Sequence, residues 1–334
     1  MKSLSGYFLA PTVVALACFG GVFFGFGLSA FVTVVILSIL EVTLSFDNAV
    51  VNARVLRKMD ALWQQRFLTW GILLAVVGTR FILPILIVSV AIVASPLYIT
   101  KLALTDPEAY STLLKNVHAS ITAFGGMFLL MVSLKYFFDT AKNVHWIQSI
   151  ERHLSNWGHI EAIEIVIALI ALLSLSYVSH FPQTTILVSG VAGLILFILM
   201  EGIAGSLSAP SGAVQSGLSL FLYLNVLDSA FSLDGVIGAF ALTSNIVIIM
   251  IGLGIGAYFV RSLTIYFVRE NTLAELTYLE HGAHWAVLGL ALAMLGNLII
   301  HVPEIFTGLI GLTFVFFAYI SSYREKNKLV KVSA

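Results

Sequence analysis

Four carboxylates stand inside stretches that are otherwise apolar. Glu41 and Asp47 share one run and Asp228 and Asp234 another, each pair six residues apart, with Ser45 or Ser232 two places before the second acid. A charge at the centre of a bilayer costs at least about 2.5–3.5 kcal/mol, so two unpartnered pairs would cost on the order of 10 kcal/mol. A bound cation offsets that cost directly. Ser38, Glu41, Ser45, Asn48 and Asn52 step by three or four and form one polar stripe on a helix. Asn225, Asp228, Ser232 and Gly235 form the matching stripe in the second run. Carboxylate, amide and hydroxyl oxygens are a hard donor set that suits Mn²⁺, Ca²⁺ or Mg²⁺ and disfavours Cu⁺ or Zn²⁺.

On a regular helix Asp47 and Asp234 fall about 120° away from these stripes. Either each helix unwinds locally and frees backbone carbonyls, or each acid pair faces two different neighbours. Gly235, directly after Asp234, permits such a break, whereas Asn48 after Asp47 permits it less readily. The competing reading pairs Asp47 and Asp234 with Arg80 and Arg261 in a closed structural network. Four acids against two arginines leave two negative charges over, which casts the arginines as supports of a cation site. His118 and His281 are assigned supporting positions as well. Glu164 and Glu201, near helix ends, are read either as proton relays or as interfacial residues.

The elements that carry these residues belong to a membrane. Of 334 residues 59% are hydrophobic and only 10% charged, with mean hydropathy +1.01. A soluble domain is nearer 45–50% apolar and about 25% charged, so this chain lacks the polar residues to cover a water-facing surface. A net charge of zero with no basic domain excludes a nucleic-acid-binding module. The single cysteine, Cys18, excludes disulfide frameworks, CxxC redox carriers and cysteine-rich zinc sites. No resident cofactor and no catalytic residue is predicted.

The predicted fold is all-α, a polytopic membrane protein of about ten transmembrane helices at roughly 7–27, 29–50, 67–93, 118–138, 161–180, 184–203, 214–241, 243–268, 283–301 and 304–322. The third, seventh and eighth runs are longer than needed and must tilt, kink or project. Placing both termini in the cytoplasm puts twelve of the 17 Lys and Arg inside and two, Lys101 and Lys115, outside. Ala15-Leu-Ala-Cys18 faintly resembles a lipoprotein cleavage box, but the apolar run continues to Phe24, so a retained first span is expected. The polar stretches near 94–117 and 139–160 are too short for a soluble domain.

The chain also repeats itself. Glu41-Val-Thr-Leu-Ser-Phe-Asp47 aligns with Asp228-Ser-Ala-Phe-Ser-Leu-Asp234. Gly71 and Arg80 in span three match Gly252 and Arg261 in span eight, both nine apart. His118, Ala123, Gly126, Leu129 and Met131 match His281, Ala286, Gly289, Leu292 and Met294. Spans two to four thus correspond to seven to nine, which gives two five-helix repeats, 1–180 with motif helix 29–50 and 181–334 with motif helix 214–241. An odd number of spans per repeat inverts the second copy, the arrangement of many secondary transporters.

The motif residues Glu41 to Ala49, their echo Phe231-Ser-Leu-Asp234, and the segments Gly71…Arg80 and His118…Gly125-Gly126 resemble the TerC family. That family of integral membrane proteins was named for tellurium resistance and belongs to the LysE-type transporter superfamily; the chain resembles its DUF475 branch most. The resemblance covers roughly 30–140 and 215–300. It implies a divalent-metal exporter, chiefly for Mn²⁺ and in some members Ca²⁺, in the bacterial cytoplasmic membrane. Glu41, Asp47 and Asn48 match the first motif and Asp234 the second, although Asp234 is followed by Gly235 where the family pattern has a side-chain oxygen.

The expectation is therefore alternating-access export of Mn²⁺ at a midplane site of Glu41, Ser45, Asp47, Asn48, Asp228, Ser232 and Asp234, with metal–proton exchange on the same carboxylates. Its partners are the ion and the lipid bilayer. Three other readings stay open: an exporter of a small organic solute such as an amino acid, a membrane-embedded aspartyl enzyme, and a scaffold for envelope or metal-loading partner proteins. The aspartyl reading lacks a GxGD context, since the order here is Leu233-Asp234-Gly235.

Overall fold

The structure, a computed structural model, describes residues 4–206 and 217–333. They form helices α1 (Leu4–Leu44), α2 (Phe46–Leu56) and α3 (Ala61–Leu73), a π-helical segment (Leu74–Ile82), and α4 (Leu83–Ala91). After these come α5 (Pro96–Thr105), α6 (Pro107–Asn116), α7 (His118–Phe137), α8 (Gln148–Trp157), α9 (Ile163–Val178) and α10 (Gln183–Ser206). The second half holds α11 (Gly217–Leu242), α12 (Ile246–Arg269), α13 (Thr272–Glu275), α14 (Leu279–Gly296) and α15 (Glu304–Ser333). Among the described residues there is no strand, and five helical stretches are long and apolar enough to cross a membrane. Large apolar side chains face outward, as at Phe24, Val90, Leu97 and Val188, the surface a hydrocarbon solvent requires.

Helix α1 is two helices joined at Gly27. Phe19 and Phe31 would stand about 18 Å apart along a straight helix, yet their ring centroids are 5.8 Å apart, and Phe23 lies 5.9 Å from Phe31. The chain therefore doubles back at Gly27, whose φ of +84° and ψ of −178° belong to a region that only glycine occupies without strain. Tyr7 of the outgoing limb and Phe46 beyond the returning one accordingly meet neighbouring residues of α12, Tyr266 and Phe267. The first two predicted spans separate at this point.

The returning limb does not stop at residue 50. It breaks lightly at Ser45 (φ −105°, ψ 14°) and continues as α2 to Leu56, whose residues 47–53 are all buried. The third long run accommodates its length by widening into the π segment, which carries Arg80. The polar stretch near 94–117 holds two short helices, α5 and α6. α5 and α6 each start at a proline in the first turn, where the missing N–H costs nothing. The side chain of Asp106 caps α6 by accepting from the Ala109 amide at 3.1 Å.

Helix α7 is the centre of the fold, with most of its residues buried, and α14 packs along it in the opposite direction. Tyr136 near the end of α7 stands 5.5 Å from the ring of His281 at the start of α14. Midway, a Cβ on Gly126 would come within 2.8 Å of the Leu295 side chain, so the bare position at 126 is what lets Leu295 of α14 pack onto α7. α12 packs along α1 in the same manner: a Cβ at Gly252 would stand 2.6 Å from Leu37, and one at Gly256 would stand 2.5 Å from Glu41 and 2.9 Å from the Ser38 carbonyl. The Gly252–Gly256 spacing is a close-packing face.

Gly27→Ala is expected to lower stability by about 1–3 kcal/mol, since it forces a Cβ into that backbone region. Gly25→Ala, where a Cβ meets nothing within 4 Å, is expected to be neutral or slightly stabilising. Thermal unfolding of the two variants in detergent, against wild type, checks the difference.

Candidate functional site

The polar stripe of the first motif survives the break at Ser45. Ser38, Glu41, Ser45, Asn48 and Asn52 are all buried on one side of the returning limb and α2. Ser38 Oγ lies 2.8 Å from the Val34 carbonyl and 3.0 Å from that of Gly252, tying α1 to α12. Ser45 stands at the start of α2 but does not cap it; its hydroxyl donates to Glu41 Oε1 at 2.8 Å. Across the interface Asn48 Nδ2 donates to Asp228 Oδ1 at 2.7 Å, and Asn52 Nδ2 approaches the same oxygen at 3.5 Å. The stripes of the two halves thus face each other.

Both arginines enter this interface. Arg80 forms a buried ion pair with Glu41 and also reaches the Ala75 carbonyl and Thr79 Oγ1 within its own π segment. Arg261 donates to the Phe67 carbonyl, and its guanidinium lies over the Phe67 ring, 4.0 Å from the centroid. A Cβ at Gly71 would stand 2.0 Å from Arg261 Nη1, so any larger residue there would evict the guanidinium. The nine-residue Gly–Arg spacing therefore works across the halves: the glycine of the first seats the arginine of the second.

Glu41, Asp228, Arg80, Arg261, Ser45, Asn48, Asn52 and Thr264 line a small cavity of about 10 Å³. Room for one water-sized occupant begins near that volume. Its two carboxylates and two guanidiniums balance in charge. Among the described residues Asn48 Oδ1, Asn52 Oδ1 and Arg80 Nε are buried without a hydrogen-bond partner; acceptors in that condition favour a donor or a cation beside them.

Other predicted site residues lie elsewhere. Asp47 is buried in the first turn of α2, but its carboxyl carbon faces α15, 3.9 Å from where a Cβ on Gly311 would stand. Glu41 and Asp47 face different neighbours, and the helix is also interrupted between them. In the second half α11 runs through Asp228 and Asp234 as one helix; the side chain of Asp234 lies outside the described residues. Gly235, read as the point where a break is permitted, is helical and leaves room for Glu41 Oε2, 3.5 Å from its Cβ position. Ser232 is buried with its hydroxyl unpartnered, but it does not line the cavity. Among the described residues no group of three His, Cys, Asp or Glu side chains is placed to hold a metal ion; the oxygens of Asn and Ser must complete any such set.

The histidines sit at opposite ends of the α7–α14 pair, and neither lines the cavity. His118 Nε2 is 3.4 Å from Thr122 Oγ1, while His281 Nδ1 is 2.7 Å from Glu151 Oε2. Glu164 and Glu201 converge on one ammonium, at 3.3 and 3.1 Å from Lys135 Nζ. This trio lines a second, open cavity of about 550 Å³ together with Arg54, Lys58 and Tyr223. The same two helices, α2 and α11, supply residues to both cavities, roughly one turn apart on α2.

Glu151 was missed by sequence reasoning. It is fully buried on α8, where it accepts from the Trp285 indole at 2.9 Å and from the Trp146 and Ile147 amides at 3.2 and 3.3 Å. It also pairs with His281 and Lys142. No pattern announces it, because α8 is inside out: Glu151 and Ser155 point inward while Ile150 and Trp157 are exposed. Burial pushes the Glu151 carboxyl up, but the hydrogen bond and charge of His281, the Trp285 donor and the Lys142 charge outweigh it and bring the carboxyl from 4.5 down to about 2. A depressed carboxylate stabilises the fold fully above its unfolded pKa, and that contribution is lost as pH falls toward the folded value. Glu151→Gln is therefore expected to melt well below wild type at pH 6–7, and the gap is expected to narrow between about pH 4.5 and pH 2. Melting curves of both proteins across that range check the sign.

The family described as "Protein of unknown function (DUF475)" matches residues 46–329. No curated protein and no solved structure matches the chain.

Proposed function

The chain belongs to the DUF475 family, and we propose that it is a transporter of a hard divalent cation, Mn²⁺ first and Ca²⁺ next, acting by alternating access at the small cavity between its halves. The observation that carries this reading is the cavity itself: Glu41 and Asp228, one carboxylate from each half, line a space of atomic size together with Asn48 and Asn52, whose amide oxygens have no partner among the described residues. A desolvated ion bound by oxygens at roughly 2.0–2.6 Å needs that scale and that chemistry. The resemblance to the TerC family supplies the preference for Mn²⁺ and the direction, export.

In this reading ten crossings form two inverted repeats of five, in a bacterial cytoplasmic membrane with both termini inside. The antiparallel pairing of α7 with α14, the equivalent helices of the two repeats, supports the inversion. The open cavity, rimmed by Arg54, Lys58 and Lys135, is then the cytoplasmic vestibule, and the ion passes from it along α2 and α11. Proton uptake at Asp228 accompanies the return of the empty carrier. Asp47, the other acid of the first motif, acts from the face toward α15.

A second reading, export of a zwitterion such as an amino acid, draws on the two arginines, which would hold a carboxylate. The inner cavity is far too small for such a solute, and only the open one has a volume in the range of small-molecule sites. The cation reading therefore leads.

In cells lacking their own Mn²⁺ exporter, the wild-type chain is expected to lower cellular Mn²⁺. Glu41→Gln, Asp228→Asn and the double variant Asp47→Asn, Asp234→Asn are expected to lose that effect at equal membrane abundance, while Glu161→Gln, on an exposed turn, retains it. Unchanged Mn²⁺ and Ca²⁺ in all strains, with a changed amino-acid efflux, would transfer the proposal to the second reading.

A further inference from the structure

The two arginines of the inner cavity are not held alike. Arg261 is anchored from outside its own helix by the Phe67 carbonyl, by the Phe67 ring and by the space above Gly71. Among the described residues Arg80 has one polar contact beyond its own π segment, Glu41, and its Nε has no hydrogen-bond partner. The cavity is electrically balanced as it stands, with two carboxylates and two guanidiniums. A divalent ion entering it adds two positive charges in a medium where uncompensated charge is costly. Glu41 Oε1, the oxygen such an ion would compete for, already accepts from both Arg80 and Ser45. Displacing one arginine restores the balance, and Arg80 is the one with fewer anchors outside its own segment.

We infer that Arg80 is a tethered counter-cation: it occupies the ion's place on Glu41 in the unloaded carrier and is displaced when the ion binds. This rests on the cation reading above and adds to it the competitor that sets affinity and release. The π segment provides the route. Relative to an α-helix it holds surplus register, and relaxing by one residue turns the downstream helix by about 100° and shifts it by about 1.5 Å. That motion takes Arg80 away from Glu41, while Arg261 on α12 keeps its seat. Asn48 Oδ1 and Asn52 Oδ1, unpartnered in the balanced state, are the acceptors ready to receive the incoming ion. Refilling by Arg80 expels it, so the carrier never returns with a bare buried carboxylate.

The test uses the full-length protein, purified in detergent for equilibrium Mn²⁺ binding, read as loss of the free-ion paramagnetic resonance signal, and reconstituted in liposomes for Mn²⁺ flux. Arg80→Gln is expected to bind Mn²⁺ about tenfold or more tighter than wild type, the scale of a coupling between competing ligands, and to transport more slowly because nothing expels the ion. Arg80→Lys, which keeps a tethered cation, is expected to stay within about threefold of wild type in binding on the same scale. Glu41→Gln is expected to lose binding in either background. If wild type binds and carries Mn²⁺ but Arg80→Gln binds no tighter, or Arg80→Lys binds as tightly as Arg80→Gln, the counter-cation role is overturned and the transport reading stands. If wild type and Arg80→Gln both fail to bind or move Mn²⁺, Ca²⁺ and Mg²⁺, both readings fall together.

Discussion

The ion pair between Glu41 and Arg80 is the constraint around which the interior is arranged. A chain this apolar has few ways to hold charge, and every charge it buries must be met by another group of the protein. Several otherwise unrelated features serve that one contact. Gly256 lets α12 lie against the Glu41 side chain; Ser45 gives Glu41 Oε1 a second donor; the π segment delivers Arg80 at the height of Glu41; and Gly235 on α11 leaves space for the other carboxylate oxygen. A Cβ at Gly256 would strike Glu41, whereas one at Gly235 would only touch its carboxylate.

A buried ion pair is poor evidence of stability, because desolvating both partners consumes most of what their attraction returns. Breaking one is another matter, since it strands the survivor at a cost of about 3–5 kcal/mol. That asymmetry separates the two charged centres of the molecule. Glu151 is saturated: indole, two backbone amides, imidazole and ammonium surround it, and it fastens the α7–α9 connection to the head of α14. The inner cavity is balanced in charge but not saturated in hydrogen bonds, with two amide oxygens and one guanidinium nitrogen unpartnered. The first arrangement suits a fixed clamp. The second suits a place where partners are exchanged.

The membrane class, the helical fold and the polar stripe of the first motif were legible in the sequence, because composition and helical period are local properties. Gly71, Gly252 and the two arginines were legible as a repeated spacing, though not as what they do, since Gly71 seats an arginine far along the chain while Gly252 accommodates Leu37. The two short helices at 96–116 escaped notice because their apolar content is too low to read as spans. Glu151 escaped because its burial is imposed by α14 and the preceding loop rather than by any pattern in α8.

By itself, then, the sequence determined that the chain is a bundle of apolar helices with a few carboxylates and arginines that cannot face lipid, and it determined which stripe of each motif helix is polar. The tertiary structure decided which charge meets which. Glu41 and Asp228 turn to a common cavity while Asp47 turns to α15, and Arg80 takes Glu41 while Arg261 takes a backbone carbonyl. The physical reason is that electrostatic partnership is set by distance across helix interfaces. Those distances depend on where the chain doubles back at Gly27, where it breaks at Ser45 and where α3 widens into a π turn, small backbone departures that residue type and spacing do not announce.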